Sequence, residues 1–264
     1  PASMPRRARS LAAALVADGI AVAPCEDFFG DQGLSGLAEA SPQVLALAGA
    51  DEVQSKVASG RSGHEHGKDY LIELVHRTEA HGPNSALLRI AIDPKLLKIV
   101  AAYMGMWPRL HSIGAWLNFA TESTPIEAQL WHRDPEDVKI VKGFIYLNDV
   151  DENLGPFTYI PGTHPFGRFA QIVPLHTHPT RVTDDEMRAS FPERLWRSCA
   201  GPARTMILAD TGGFHRGGKP NRGTRILITF TYTSGAVFFN DRCLRVSTAE
   251  PFPLNAMQRF ALRD

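Results

Sequence analysis

In Gln129-Leu130-Trp131-His132-Arg133-Asp134-Pro135 an imidazole and a carboxylate stand two residues apart. In extended backbone, alternate residues share a face, so His132 and Asp134 converge on one point. With one more imidazole they form a 2-His-1-carboxylate set, which covers one face of an octahedron around Fe(II) and leaves three positions open. The HxD pattern alone says little in a chain with ten histidines. The second imidazole is what decides. His215 sits in Ala209-Asp210-Thr211-Gly212-Gly213-Phe214-His215-Arg216-Gly217-Gly218, where glycines let backbone and a bound group approach closely. Ten residues on, Arg225 begins a strongly β-forming run. A strand turning back after His215 brings this guanidinium toward the metal, where it suits a bidentate grip on a carboxylate.

Together with Asn153-Leu154-Gly155-Pro156-Phe157-Thr158-Tyr159-Ile160-Pro161-Gly162-Thr163-His164 and Gly223-Thr224-Arg225, these motifs resemble the phytanoyl-CoA dioxygenase family from about Asn118 to Thr233. The resemblance implies an Fe(II)- and 2-oxoglutarate-dependent oxygenase that uses O2 and releases succinate and CO2. It implies a double-stranded β-helix (a cupin-like jelly roll), with His132, Asp134 and His215 as iron ligands. It assigns Arg225 to the distal carboxylate of 2-oxoglutarate and Asn118, Gln129 and Phe144 to further contacts with it. His164 falls beside the pocket. The His215–Arg225 loop is about one residue shorter than in some relatives, which makes Arg222 the competitor of Arg225. Asp134 stands where related halogenases carry a small residue, so hydroxylation or another oxidation is expected.

The elements that must position these residues divide the chain. Arg6–Ala17 and Ser41–Ala58 read as helices, and Asp93-Pro94 opens a third with Leu96, Leu97, Val100 and Tyr103 on one face. Ile20-Ala21-Val22 reads as a short strand, and Ser59–Tyr70 as an exposed loop. Strands are expected at Leu110–Phe119, Ala128–Trp131, Lys142–Leu147, Phe157–Ile160, Thr205–Leu208 and Arg225–Thr233. Thr183 and Glu186 have capping-box spacing inside a loop-and-helix insertion. The expected architecture is mainly β: a single domain over 1–264, with helical region 1–106, a jelly-roll core over 107–235 interrupted by a lid at 166–202, and a tail at 236–264.

Composition narrows the partners. Lys+Arg and Asp+Glu both number 28, and that balance argues against a polyanion binder. A small-molecule substrate is expected, with no nucleic acid and no membrane; oligomeric state is not legible. Cys25, Cys199 and Cys243 form no CxxC and fit a reducing, cytoplasmic setting. No 18-residue apolar run spans a bilayer. Arg6, Arg7 and Arg9 before an apolar stretch imitate a signal peptide, but Asp18-Gly19 interrupts it, and an amphipathic helix is expected.

Other polar groups have plainer readings. His64-Glu65-His66 and His176-Thr177-His178 read as solvated loops, with a role over the barrel mouth open to the former. Arg168, Arg181, Arg188, Arg194 and Arg197, opposed by Asp184, Asp185, Glu186 and Glu193, read as a mixed-charge surface. Trp107, Trp116, Trp131 and Trp196 read as core or pocket wall, His76 and His111 as ordinary histidines, and Cys25 as a buried apolar residue. Two other functions stay open: a cupin-type metalloprotein using His132 and His164 with a different third ligand, and a non-catalytic jelly roll that binds a carbohydrate or protein.

Overall fold

The computed structural model describes residues 4–63, 68–82, 85–173, 180–235, 244–246 and 253–263. His64, His66, His176 and His178 lie outside them, as does Cys243.

Helix α1 (Arg6–Asp18) forms as its apolar spacing predicts, burying Ala8, Leu11, Ala12 and Leu15, and ends at Gly19 with φ 76°. Any Cβ at Gly19 would also meet the Tyr159 hydroxyl and the His164 ring, so both conformation and space demand glycine there. Strand β1 (Ile20–Pro24) follows, then α2 (Cys25–Phe28), α3 (Asp31–Ala48) and α4 (Asp51–Ser59). The single helix expected over Ser41–Ala58 is therefore two. Pro42 lies inside α3, and the chain breaks where Ala50 takes extended dihedrals before Asp51 and Glu52 open α4.

Strands β2 (Leu71–Val75) and β3 (Ala80–His81) precede α5 (Ala86–Ala91) and α6 (Pro94–Met104). Helix α6 begins as expected: the Asp93 carboxylate accepts from the Lys95 and Leu96 amides, and Pro94 occupies the first turn. Then come β4 (Arg109–Phe119), β5 (Val141–Tyr146), β6 (Phe157–Tyr159), α7 (Asp184–Ser190), β7 (Arg197–Ser198), β8 (Thr205–Asp210), β9 (His215–Gly217), β10 (Thr224–Thr233), β11 (Arg245–Val246) and α8 (Ala256–Leu262). Thr183 and Glu186 make the capping box at α7.

Six strands form the large sheet in the order β1-β8-β5-β10-β4-β2, all antiparallel. The facing sheet is β7-β6-β9, lengthened by bridges His132–His215 and Trp131–Val182. Two antiparallel sheets face to face make the jelly roll. Both edges of the large sheet come from before residue 107, and β2 lies in a stretch with no clear alternation.

Alternation along the strands sorts side chains into layers. Ile113, Ala115, Leu117, Ile226, Ile228 and Phe230 face the helices. Tyr146, Phe157, Tyr159, Ile207 and Leu227 pack between the sheets. A third cluster of Trp131, Val182, Met187, Phe191 and Phe214 lies under α7, on the side of the small sheet opposite His132 and His215.

One further expectation changes here. Ala128–Trp131 is no strand: Glu127–Gln129 make one 3-10 turn, closed by Gln129 Oε1 accepting from the Ile126 amide at 3.2 Å. Glu127 takes φ 49° in that turn, a conformation no periodicity announces. The described part of the 166–202 insertion packs against the small sheet. Met187 on α7 and Phe191 just beyond its end pack with Trp131 and Phe214, and Arg197-Ser198 pair with β6 as an edge strand.

Candidate metal centre

His132 and His215 lie opposite each other across the small sheet, each amide donating to the other's carbonyl at 2.9 and 3.0 Å. Asp134 is fixed by its own amide, which donates to Thr211 O at 2.8 Å. Between them Arg133 turns outward onto the Phe214 ring, 4.1 Å from its centroid, so the two-residue period holds without a regular strand. The three side chains bring one ligand atom each within 4.8 Å of one another. His132 Nε2 is 3.9 Å from Asp134 Oδ1, and His215 Nε2 is 3.6 Å from Asp134 Oδ2.

The tautomers are set from behind. His132 Nδ1 lies 2.8 Å from Leu130 O, and His215 Nδ1 lies 3.0 Å from Gly213 O. A carbonyl only accepts, so each Nδ1 carries the proton and each Nε2 presents its lone pair to the centre. Burial lowers both imidazoles, His132 to about 3 with His215 adding to the effect. Both are thus neutral near pH 7, the form a metal needs. Burial pushes the Asp134 carboxyl up, but Lys142 and the two imidazoles outweigh it, and the group stays well below its ordinary range. Two neutral nitrogens and one partly buried carboxylate are the donor set of a divalent transition metal.

The same barrel holds a second polar cluster. Arg225 on β10 is buried and opposite Asn118 in register. Its guanidinium makes one long bond to protein, Nη1 to Gly218 O at 3.4 Å. Among the described residues, neither the buried Gln129 Nε2 nor the buried Tyr70 hydroxyl donates a hydrogen bond, and the Tyr70 phenol feels the Arg225 charge. Arg225 and Tyr70, neighbouring donors short of acceptors in a dry region, fit a bound carboxylate. Arg222 lies elsewhere, exposed and paired with Asp151 at 2.7 Å.

Phe144 faces the interior from β5, its ring 4.7 Å from that of Phe157, which stacks on His215 at 5.5 Å. His164 packs toward α1, with Nε2 3.3 Å from Val16 O, and shares no ligand cluster with His132; that removes the geometry of the cupin alternative. Its neighbour Thr163 does position the site, since Thr163 Oγ1 accepts from the Phe214 amide at 2.8 Å beside His215. Trp116 walls the barrel, donating to Thr229 Oγ1 at 2.9 Å. Burial pushes the Cys25 and Cys199 thiols up to about 12, which leaves them inert.

Sequence reasoning passed over Tyr70, read into an exposed loop, and Lys142, read as the start of a strand. Lys142 Nζ stands 2.6 Å from Asp134 Oδ2. Only the interior alternation of β5, with Phe144 two residues on, could have marked it.

No protein-family profile matches the chain, and no curated protein does. Solved structures do. EctD from S. alaskensis, in its apo form, is 19% identical over 100% of this chain and 89% of its own, with a TM-score of 0.56. HygX from Streptomyces hygroscopicus, with nickel, 2-oxoglutarate and hygromycin B bound, is 16% identical over 88% of each chain, with a TM-score of 0.53. The epimerase SnoN, in complex with Fe3+, alpha ketoglutarate and nogalamycin RO, is 14% identical over 94% of this chain and 93% of its own, with a TM-score of 0.54. At these identities the chain shares their fold.

Proposed function

We propose that this chain is an Fe(II)- and 2-oxoglutarate-dependent oxygenase of the phytanoyl-CoA dioxygenase kind, a single domain that oxidises a C–H bond of a small organic substrate in the cytoplasm. The observation that carries the reading is the pairing of the His132–Asp134–His215 set, two buried imidazoles and a partly buried carboxylate, with a buried, under-bonded Arg225 in one barrel. His132, Asp134 and His215 hold the metal. Arg225 takes the distal carboxylate of 2-oxoglutarate, with Tyr70 and Gln129 donating beside it, and Asn118 and Phe144 shape the wall.

When bound, iron and 2-oxoglutarate supply the oxidising chemistry, giving succinate and CO2 as the keto acid is consumed with O2. The chain's own part is placement. The carbonyls of Leu130 and Gly213 orient the imidazoles, and Phe157 fixes the His215 ring from its face. The apolar layer between the sheets excludes water, so the Arg225–carboxylate attraction is stronger than in solvent. A non-catalytic binding role leaves a complete triad without physical purpose. Small molecules bound in HygX and SnoN support a small-molecule substrate here.

The test is succinate release by purified protein supplied with Fe(II), 2-oxoglutarate, O2 and a panel of small organic molecules. Release that one class of molecule stimulates, and that Asp134→Ala abolishes, is the expected result. Full release by the Asp134→Ala variant, or none by the native chain under any condition, overturns the reading.

A further inference from the structure

Lys142 enters none of the roles above, yet its ammonium reaches into the triad. It lies on β5 two residues before Phe144, between Ala209 of β8 and Thr231 of β10 in register. Nζ is 2.6 Å from Asp134 Oδ2 and 3.9 Å from Glu136 Oε1. The two oxygens of Asp134 are thereby distinguished: Oδ2 carries the ammonium and lies 3.6 Å from His215 Nε2, while Oδ1 stands 3.9 Å from His132 Nε2 with no ammonium beside it. The distinction matters because a carboxylate can give a metal one oxygen or two. The facial set leaves three open positions only when the carboxylate gives one. A chelating keto acid needs two of those positions and O2 the third.

We propose that Lys142 is a positioning residue of the metal centre: by holding Asp134 Oδ2 it makes the carboxylate a one-oxygen ligand and keeps two adjacent positions free for an anionic keto-acid chelate. This rests on the metal site proposed above. Charge works the same way. A fixed ammonium beside the metal repels a divalent cation slightly and attracts the carboxylate end of the chelate. Loss of Lys142 therefore shifts two affinities in opposite directions. A merely structural ion pair would, on removal, disorder Asp134 and weaken both.

The experiment uses metal-free protein with Co(II) as the probe, followed by calorimetry and visible absorption, and then 2-oxoglutarate added to the Co(II) form. Native protein, Lys142→Met and Lys142→Arg are compared, with Lys142→Gln replacing the Met variant if that one does not fold. Lys142→Met is expected to bind Co(II) at least as tightly as native protein while its 2-oxoglutarate affinity falls about tenfold or more. Its Co(II) absorption should weaken toward that of a higher-coordinate centre. Lys142→Arg should restore 2-oxoglutarate affinity. Affinity for 2-oxoglutarate unchanged within about twofold in the Met variant, or joint loss of Co(II) and 2-oxoglutarate, overturns the proposal. Failure of native protein to bind Co(II) is a separate outcome: it removes the metal-site reading itself.

Discussion

His132 and His215 are locked as a reciprocally hydrogen-bonded backbone pair, with their rings 4.2 Å apart. Neither imidazole depends on a metal for its place, because sheet pairing and the carbonyls behind each Nδ1 fix both. The site is thus pre-organised, and its affinity depends on having both rings. His215→Ala is expected to abolish one-to-one Co(II) binding in calorimetry while leaving the far-UV circular dichroism of the fold unchanged.

Arg225 and Arg222 differ by burial. Removing a buried charge partner costs about 2–5 kcal/mol, so Arg225→Ala should weaken 2-oxoglutarate binding by about 30-fold or more. The Arg222–Asp151 pair is exposed, and exposed pairs contribute at most about 1 kcal/mol. Arg222→Ala should leave the dissociation constant for 2-oxoglutarate unchanged. Isothermal titration of both variants checks the pair.

Tyr70 offers a buried hydroxyl with no acceptor among the described residues. A hydrogen bond to a charged group contributes about 1.5–3 kcal/mol, so Tyr70→Phe should weaken 2-oxoglutarate binding by about tenfold or more. Pyruvate has the same chelating end and no distal carboxylate, and its affinity should stay the same. Equal losses for both acids would show that Tyr70 acts elsewhere.

Asp210 steers the loop into His215: its Oδ1 accepts from the Gly212 amide at 2.8 Å, and the Tyr103 hydroxyl donates to Oδ2. Burial raises this carboxyl from 3.8 to about 7, against the opposing pull of Tyr103, Gly212 and Lys139. The folded value exceeds the unfolded one, so between them the folded state keeps a proton that the unfolded chain has lost. Its contribution to stability is therefore present at low pH, declines as pH rises from 3.8 toward about 7, and is gone above that. Asp210→Asn cannot ionise, and its Tm should fall less over that interval than that of the native chain. Parallel Tm–pH curves would count against this account.

The His132–Asp134–His215 cluster was legible because HxD on extended backbone and a histidine among glycines are local patterns. Strands β4, β5 and β10 were legible for a related reason, as long β-branched and aromatic runs. What escaped notice depends on distant neighbours. Tyr70 and Lys142 meet Arg225 and Asp134 only when those arrive from elsewhere in the chain, and no spacing encodes that. Glu127 turns with a positive φ that its residue type does not announce. Arg197-Ser198 is too short to show a period, so its pairing with β6 was hidden inside an apparent insertion. Gly49 and Ala50 split a helix whose apolar pattern runs through the break.

The central claim is that the triad and Arg225 act together on one metal and one keto acid. Anaerobic titration of the protein with Fe(II) and then 2-oxoglutarate, followed by visible absorption, tests it most directly. The account predicts a metal-to-ligand charge-transfer band that saturates at one equivalent of each, is absent in Asp134→Ala, and needs far more 2-oxoglutarate in Arg225→Ala. No band in the native chain, or an undiminished band in Asp134→Ala, contradicts it.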